Sequence, residues 1–368
     1  MTTIEAVRPK HRVDGVRDLL RRSNLSLLIA TPGPDLAYLT GHMAHQSERP
    51  VFLCLPPEGR PVMVIANFES RALPDLPDVT IRTYDEKDDP YQLVKSASSP
   101  AWWHGTVAIS DDARSRFLLG LQSVFPETKF EAASPHLRSL RMVKDLLELQ
   151  SLRAAARRAD EAFERLLENT ITGRSEVEVM GILRSSMEES GLSNTWAVVG
   201  SGPNGASPHH QAGSRVIGQR DMVVVDFGGA FEGYQSDVTR MISIGAPSGR
   251  AAEAHDVVKR AGEAAASAVA PGVTAESIDE TARKIIATAG MGDAFIHRTG
   301  HGLGLEVHEE PYIVAGNTLK LQSGMVFSIE PGVYFEGEFG IRVEDIVVVT
   351  ENGTETLSAL PRELRIVA

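Results

Sequence analysis

This chain of 368 residues reads as two domains of mixed character, a small α/β domain followed by a larger α+β domain. Three observations lead there. The length exceeds the ~100–200 residues of one ordinary core. Short aliphatic runs separated by turn residues fill the first third. Beyond that third, a helix, a Gly-x-Ser/Thr turn and a second helix precede a strand-rich segment, and this order occurs twice, as a duplicated α+β unit would require. We place the domains at 1–136 and 137–368.

In the first domain, Val13, Val16, Leu19 and Leu20 recur at helical spacing within HRVDGVRDLLRRSN. LSLLIA follows as a short buried strand and TPGPD as a turn. VFLCLPP and PVMVIAN are two further strands joined at Glu58-Gly59. The polar YDEKDDPYQ reads as a solvated loop and AWWHGTVAIS as another strand.

In the second domain, Leu149, Leu152, Ala156, Ala159, Phe163 and Leu166 form one apolar stripe on a long helix, with charged residues on the other faces. Ser175-Glu176-Val177-Glu178 is a capping-box pattern that opens a second helix. A comparable pair occupies 251–269 and 274–287, with Pro271-Gly272 between and Thr274 as the cap. The strand-rich segments carry unusual carboxylates. Met222–Asp226 is a β-branched run ending in an acid, and Met325–Glu330 is another, stopped by Pro331-Gly332. Ile341–Ile346 alternates, so Arg342 and Glu344 share a strand face.

Composition narrows the class. Hydrophobic residues are 42% and charged residues 23%, as in ordinary globular proteins. No apolar run approaches the ~18–20 residues of a membrane span, and MTTIEAVRPKHRVDG holds no apolar signal core. The single cysteine, Cys54, excludes an internal disulfide or a cysteine metal cluster, and fits the cytoplasm. The net charge of −12 argues against nucleic acid or an anionic membrane as partner. Residues 1–136 hold 15 basic and 17 acidic side chains, against 22 and 32 in the remainder. The acidic excess therefore lies in the second domain, where solubility explains most of it and metal ligation by some of the carboxylates is the sharper reading that the motifs must decide.

An isolated buried carboxylate costs several kcal/mol, so acids inside apolar strands are paired, hydrogen-bonded or metal-bound. Asp226, Glu330 and Glu344 are such acids. Asp237 follows in GYQSDVTR, on the same strand face as Thr239, and His301 lies in RTGHGLGLEVHEEP, where glycines allow close approach to a ligand. The glycines at 300, 302 and 304 do not fit a phosphate-loop spacing. Singly, each residue has a plainer role: a turn cap for Asp226, a Glu-Pro-Gly turn for Glu330, an ion pair with Arg342 for Glu344. Together they point to a metal centre.

In order, VVVDFGG, GYQSDVTR, TGHGLGLEVHEEP, FSIEPGVY and GIRVEDIVVV resemble the pita-bread-fold metallopeptidases, in the branch holding prolidase and aminopeptidase P. MVKDLLELQSLRAAARRADEAFERL is similar to the entry helix of that catalytic domain, and TPGPDLAYLTG with SERPVFLCLPP to the creatinase-like N-terminal domain. The resemblance implies a C-terminal pita-bread domain with pseudo-twofold α+β halves. It also implies a site for two divalent ions held by Asp226, Asp237, His301, Glu330 and Glu344, with Asp237 and Glu344 bridging. Four carboxylates balance two divalent ions, and an oxygen-rich set with one imidazole suits Mn²⁺ while tolerating Co²⁺ or Zn²⁺.

The same resemblance assigns His308 to the substrate carbonyl and oxyanion, and His209 to substrate contact, with the adjacent His210 as the alternative. It makes Glu330 a proton shuttle to the leaving nitrogen and Arg342 the orienting partner of a ligand. The implied reaction is hydrolysis of an Xaa-Pro bond at a free N-terminus, a bond whose nitrogen has no N–H for strand-like pairing. Xaa-Pro dipeptidase is the expectation, with Xaa-Pro aminopeptidase on longer peptides as the alternative. Some prolidases carry an arginine eleven residues after the ligand histidine, where this chain has Tyr312. A metal-free creatinase-like enzyme and a catalytically inactive binding module are both disfavoured by the complete set of acids, whereas a specialised non-peptide hydrolase or lyase retains it. The resemblance further implies a homodimer.

Overall fold

The computed structural model describes residues 10–368. They form two compact units, which divide between Arg141 and Met142.

The first unit is built on a six-stranded mixed sheet. Its strands are β1 (Leu25–Ala30), β2 (Phe52–Leu55), β3 (Val62–Ala66), β4 (Thr80–Tyr84), β5 (Thr106–Ile109) and β6 (Lys129–Ala132), in the order β4-β3-β2-β1-β5-β6. β2 pairs antiparallel with both neighbours, and the other pairs are parallel. Its helices are α1 (Lys10–Arg22), α2 (Pro34–Thr40), α3 (Pro90–Ala97), α4 (Ser115–Val124) and α5 (Ser134–Arg141). Leu27, Ile29, Phe52, Val64 and Val107 from the sheet pack with Val94, Phe117 and Leu121 from α3 and α4.

Two local expectations change here. YDEKDDPYQ is not wholly loop. Pro90 starts α3, its missing N–H costing nothing in a first turn, while the Asp89 carboxylate accepts hydrogen bonds from the Tyr91 and Gln92 amides. AWWHGTVAIS is strand only from Thr106, because Pro100–Trp103 makes a short 3₁₀ turn.

The second unit repeats itself. Its first half runs α6 (Leu146–Leu167), α7 (Glu176–Glu189), β7 (Ser193–Ser201), β8 (Met222–Phe231) and β9 (Tyr234–Ile244). Its second half runs α8 (Gly249–Ser267), α9 (Ala275–Thr288), β10 (Gly300–Gly302), β11 (Glu309–Ile313), β12 (Val326–Ile329), β13 (Gly332–Phe335), β14 (Phe339–Arg342), β15 (Asp345–Thr350) and β16 (Gly353–Thr356). A last strand, β17 (Arg365–Val367), returns to pair parallel with β9.

The duplication extends to single hydrogen bonds. Gly173 and Gly272 turn the chain between helices at φ 83° and 86°, and Gly191 and Gly290 end the second helices at φ 88° and 75°. Gly173 N donates to Ile217 O as Gly272 N donates to Leu321 O. Glycine suits these corners because positive φ costs it nothing. The halves diverge at the cap: Ser175 and Glu178 form the full capping box, whereas Thr274 sits at the cap position without a side-chain hydrogen bond.

Two cores result, and the second also takes Met222, Val224 and Met241 from β8 and β9. Phe163, Leu166, Val179 and Leu183 of α6 and α7 pack on Val223, Val225 and Phe227 of β8. Val258, Ala261, Ile278 and Ile286 of α8 and α9 pack on Phe327, Ile341 and Val347. The sheets β17-β9-β8-β7 and β11-β10-β12-β15-β16 meet where Glu344 bridges Thr239, its amide donating to Thr239 O at 3.2 Å. Ile341–Ile346 is accordingly not one strand: β14 ends at Arg342, β15 begins at Asp345, and Val343-Glu344 crosses between sheets. The run from Met222 continues past Asp226 to Phe231, so Asp226 sits within β8 opposite Thr239, and Gly228 faces Asp237.

Candidate metal centre

A cavity of about 940 Å³ opens where these sheets meet. Asp226, Asp237, His301, Glu330 and Glu344 all line it, as do His209, His308 and Arg342. His210 does not. It bonds Glu176 Oε2 at 2.8 Å, on a buried carboxylate that also accepts from Ser201 and Asn204.

The donors converge tightly. Ligand atoms of Asp237, His301 and Glu344 lie within 4.8 Å of one another. His301 Nε2 is 3.7 Å from Asp237 Oδ2 and 3.1 Å from Glu330 Oε1. His301 Nδ1 lies 3.1 Å from Gly302 O, a carbonyl that can only accept, so the proton belongs on Nδ1. Nε2 then presents a lone pair to carboxylate oxygens, an arrangement that calls for a second proton or a cation between them. Asp226 Oδ1, Asp237 Oδ1 and Glu344 Oε1 are buried without any hydrogen-bond partner. Buried oxygens are rarely left so, and a divalent cation satisfies all three. The residues present therefore fit divalent ions.

The electrostatics agree. Burial, then the nearby carboxylates beginning with Glu344, push Asp237 well above its ordinary range. Glu344 rises likewise, through burial and then Glu330 and Asp226. Burial opposes charge on Glu330 too and is the largest single influence, yet contact with His301, together with His297 and Arg342, outweighs it and lowers that group. Three acids crowded beside a fourth repel one another, and cations relieve that repulsion.

Each donor is held by its element. Arg342 Nη2 donates to Asp226 Oδ2 at 2.5 Å, Nη1 to the Tyr334 hydroxyl at 2.8 Å and Nε to Thr239 Oγ1 at 3.1 Å. Thr239 Oγ1 in turn donates to Glu344 Oε2 at 2.7 Å. Arg342 thus pairs with Asp226 rather than Glu344, which it reaches only through Thr239. Tyr334 completes a chain to His297 Nε2 at 2.9 Å, and His297 Nδ1 faces Arg298 O at 2.7 Å. Arg240, itself buried, donates to Glu344 O at 2.6 Å and pairs with Asp345 at 2.7 Å, pinning the crossing segment.

The glycines around His301 act on packing. A Cβ on Gly300 would lie 1.8 Å from Ser328 O, and one on Gly302 would lie 2.2 Å from Glu310 O. They let the neighbouring backbones approach, instead of admitting a ligand. His308 stands edge-on to His301 with ring centroids 4.1 Å apart. Partial burial first, and then the nearby Arg298 charge, lower its pKa to about 4, so it is neutral at physiological pH. The Lys144–Glu309 pair, at 2.6 Å and buried, anchors the chain beside it.

Sequence reasoning missed His297, Arg298, Tyr334 and the apolar wall of Trp196, Val198, Ile296 and Val307. His297, four residues before His301, was the one readable signal among them.

Residues 150–351 match the profile of metallopeptidase family M24, and residues 12–143 that of the creatinase/prolidase N-terminal domain. The chain belongs to metallopeptidase family M24. The family carries the pita-bread fold and works with divalent metal ions, in accord with the duplicated halves and the acid–imidazole cluster. Among M24 relatives, a probable dipeptidase PepE of Mycobacterium tuberculosis is 42% identical over 94% of this chain and 93% of its own. The crystal structure of dipeptidase PepE from Mycobacterium ulcerans is 41% identical, with a TM-score of 0.87 over 97% of each chain. A recombinant prolidase from Thermococcus sibiricus is 34% identical, with a TM-score of 0.94 over 98% of this chain and all of that one. No helix among the described residues is long and apolar enough to cross a membrane.

Proposed function

We propose that this M24 enzyme is an Xaa-Pro dipeptidase, hydrolysing the bond between an N-terminal residue and a following proline. The observation that carries the reading is the set of three buried carboxylate oxygens without partners, gathered around one imidazole in one cavity. Relatives named as dipeptidases that match nearly the whole chain support the substrate class.

In this reading Asp226, Asp237, His301, Glu330 and Glu344 hold two divalent ions, Mn²⁺ by preference, with Co²⁺ or Zn²⁺ as alternatives. When bound, such a pair polarises the peptide carbonyl and lowers the pKa of water, so that a nucleophile exists near neutral pH. The chain's own residues do the rest. Neutral His308 donates a hydrogen bond to the carbonyl oxygen as negative charge develops there. Glu330 accepts the proton of the attacking water and delivers it to the prolyl nitrogen, which leaves as an amine. Arg342 orients Asp226, and His209 contacts the substrate from the opposite segment. The wall of Trp196, Val198, Ile296 and Val307 takes the proline ring and the first side chain, excluding water.

We further propose a homodimer, a division of labour between domains 1–136 and 137–368 with all metal ligands in the latter, and a cytoplasmic location in keeping with a single cysteine. Xaa-Pro aminopeptidase activity is the second reading, favoured by Tyr312 where a carboxylate-binding arginine is expected. Release of proline from Ala-Pro and Gly-Pro, compared with cleavage of Ala-Pro-Ala, in the presence of Mn²⁺, Co²⁺ or Zn²⁺ separates the two. Dipeptide turnover well above tripeptide turnover is expected. No cleavage of any of these peptides with any of the metals would refute the proposal.

A further inference from the structure

A dipeptide differs from longer peptides at the active site by one group: the free carboxylate next to the reacting bond. An enzyme that selects dipeptides must meet that charge with a cation. The sequence offers none at position 312. The structure supplies one from the other side of the same strand pair.

Arg298 lines the cavity, on the segment that leads into β10. Its guanidinium carbon lies 4.4 Å above the ring centre of Tyr312, a residue of β11. The two arginines of the cavity differ in one respect. Arg342 is buried and spent on Asp226, Thr239 and Tyr334. Arg298 has no carboxylate partner among the described residues. Stacking on an aromatic face engages the flat side of a guanidinium and leaves its edge N–H groups directed outward, the geometry that accepts a carboxylate through two parallel hydrogen bonds.

Its backbone is fixed. Arg298 O takes the hydrogen bond of His297 Nδ1, and Thr299 N donates to Ile313 O at 3.0 Å and to Asp279 Oδ1 at 3.1 Å. Arg283 of α9, paired with Asp279 at 2.7 Å, holds the carbonyls of Phe295 and His297. A side chain that had only to be solvated would need no such anchoring, and Arg298 lines the same cavity as His308 and as Ile296 of the apolar wall that the proline ring would use.

We propose that Arg298, stacked on Tyr312, is the specificity residue that binds the free α-carboxylate of the proline in Xaa-Pro dipeptides. The assignment rests on the dipeptidase reading and deepens it. Tyr312 then acts as a positioning residue, replacing the expected arginine with a platform for one.

The test uses the metal-loaded full-length enzyme and two substrates, Ala-Pro and Ala-Pro-amide, which differ only in the charge. The wild-type enzyme is expected to favour Ala-Pro in kcat/KM. Arg298→Gln should raise KM for Ala-Pro by about 10- to 100-fold, the scale of a lost charge-assisted contact, with a smaller change in kcat. The ratio of Ala-Pro to Ala-Pro-amide should fall toward one. Arg298→Lys should restore part of that ratio, and Tyr312→Leu should lower it without abolishing it. A merely structural arginine would depress both substrates alike. Equal kcat/KM for the two substrates in the wild-type enzyme would overturn the assignment without any variant having to fold. A preference that survives in Arg298→Gln would overturn it as well. In both cases cleavage of the Xaa-Pro bond would stand. Failure of the wild-type enzyme to cleave any proline peptide would remove the dipeptidase reading, and this assignment with it.

Discussion

Single residues decide which histidine does what. His301 and His308 lie seven positions apart and their rings touch edge to face, so chemistry separates them more clearly than location does. His301 turns an unprotonated nitrogen toward Asp237 and Glu330, whereas His308 is held neutral first by its partial burial and then by the neighbouring Arg298 charge. His308→Ala should therefore keep its metal and lose about 10²–10³ in kcat, the usual scale for one donor to a developing oxyanion. His301→Ala should lose metal itself. Metal stoichiometry and kcat measured on the same preparations check both. Equal metal loss in the two variants would show the roles to be misassigned. The choice between His209 and His210 was open in the sequence because adjacent residues look alike. Packing separates them: His210 is committed to Glu176, and His209 faces the cavity.

At the scale of elements, the two halves of the second unit invite a direct comparison. Ser175 and Thr274 occupy equivalent positions after glycines of similar φ. Ser175 Oγ accepts from the Glu178 amide, while the Thr274 side chain makes no capping bond. Ser175→Ala should thus cost about 1 kcal/mol of stability, and Thr274→Ala markedly less. Urea unfolding of the two variants tests this, and equal losses would contradict it. The helix stripe from Leu149 to Leu166, the capping box and the strand at LSLLIA were legible because each is a local pattern. The helix at Pro90 was not, since a polar sequence with proline reads as loop until its cap is seen. The break between Arg342 and Asp345 was equally hidden: alternation records which face a side chain takes, and it stays unbroken while the backbone passes from one sheet to another.

For the whole molecule, the dominant consequence is stored charge. Asp237 and Glu344 have folded pKa values raised above the ordinary 3.8 and 4.5. An acid raised on folding contributes stability that is complete below its unfolded pKa and is lost as pH rises through the folded value. Glu330, lowered on folding, works the other way and loses its contribution only as pH falls through its depressed value. In chelator, the protein should therefore become less stable from mildly acidic toward neutral pH. Added Mn²⁺ should restore stability most at neutral pH, by about 2.7 kcal/mol for each ion at a hundredfold excess over its Kd. Thermal unfolding with and without chelator across that range measures it. A melting temperature in chelator that does not change with pH would count against the site as drawn.

By itself, the sequence determined the class of the protein: two domains, a duplicated helix–turn–helix–strand order, and acids placed where apolar strands should not hold them. Those features are local, written in periodicity, turn residues and composition, and short-range physics reads them directly. Whether the acids form a site is a different question, because their oxygens come from segments more than a hundred residues apart in the chain, such as Asp226 and Glu344. Only the tertiary structure decided that both reach one cavity, that Arg342 serves Asp226, that the glycines beside His301 admit a neighbouring strand, and that Arg298 rests on Tyr312. Distances of a few ångströms between side chains remote in sequence are set by the packing of whole sheets, and no local pattern carries that information.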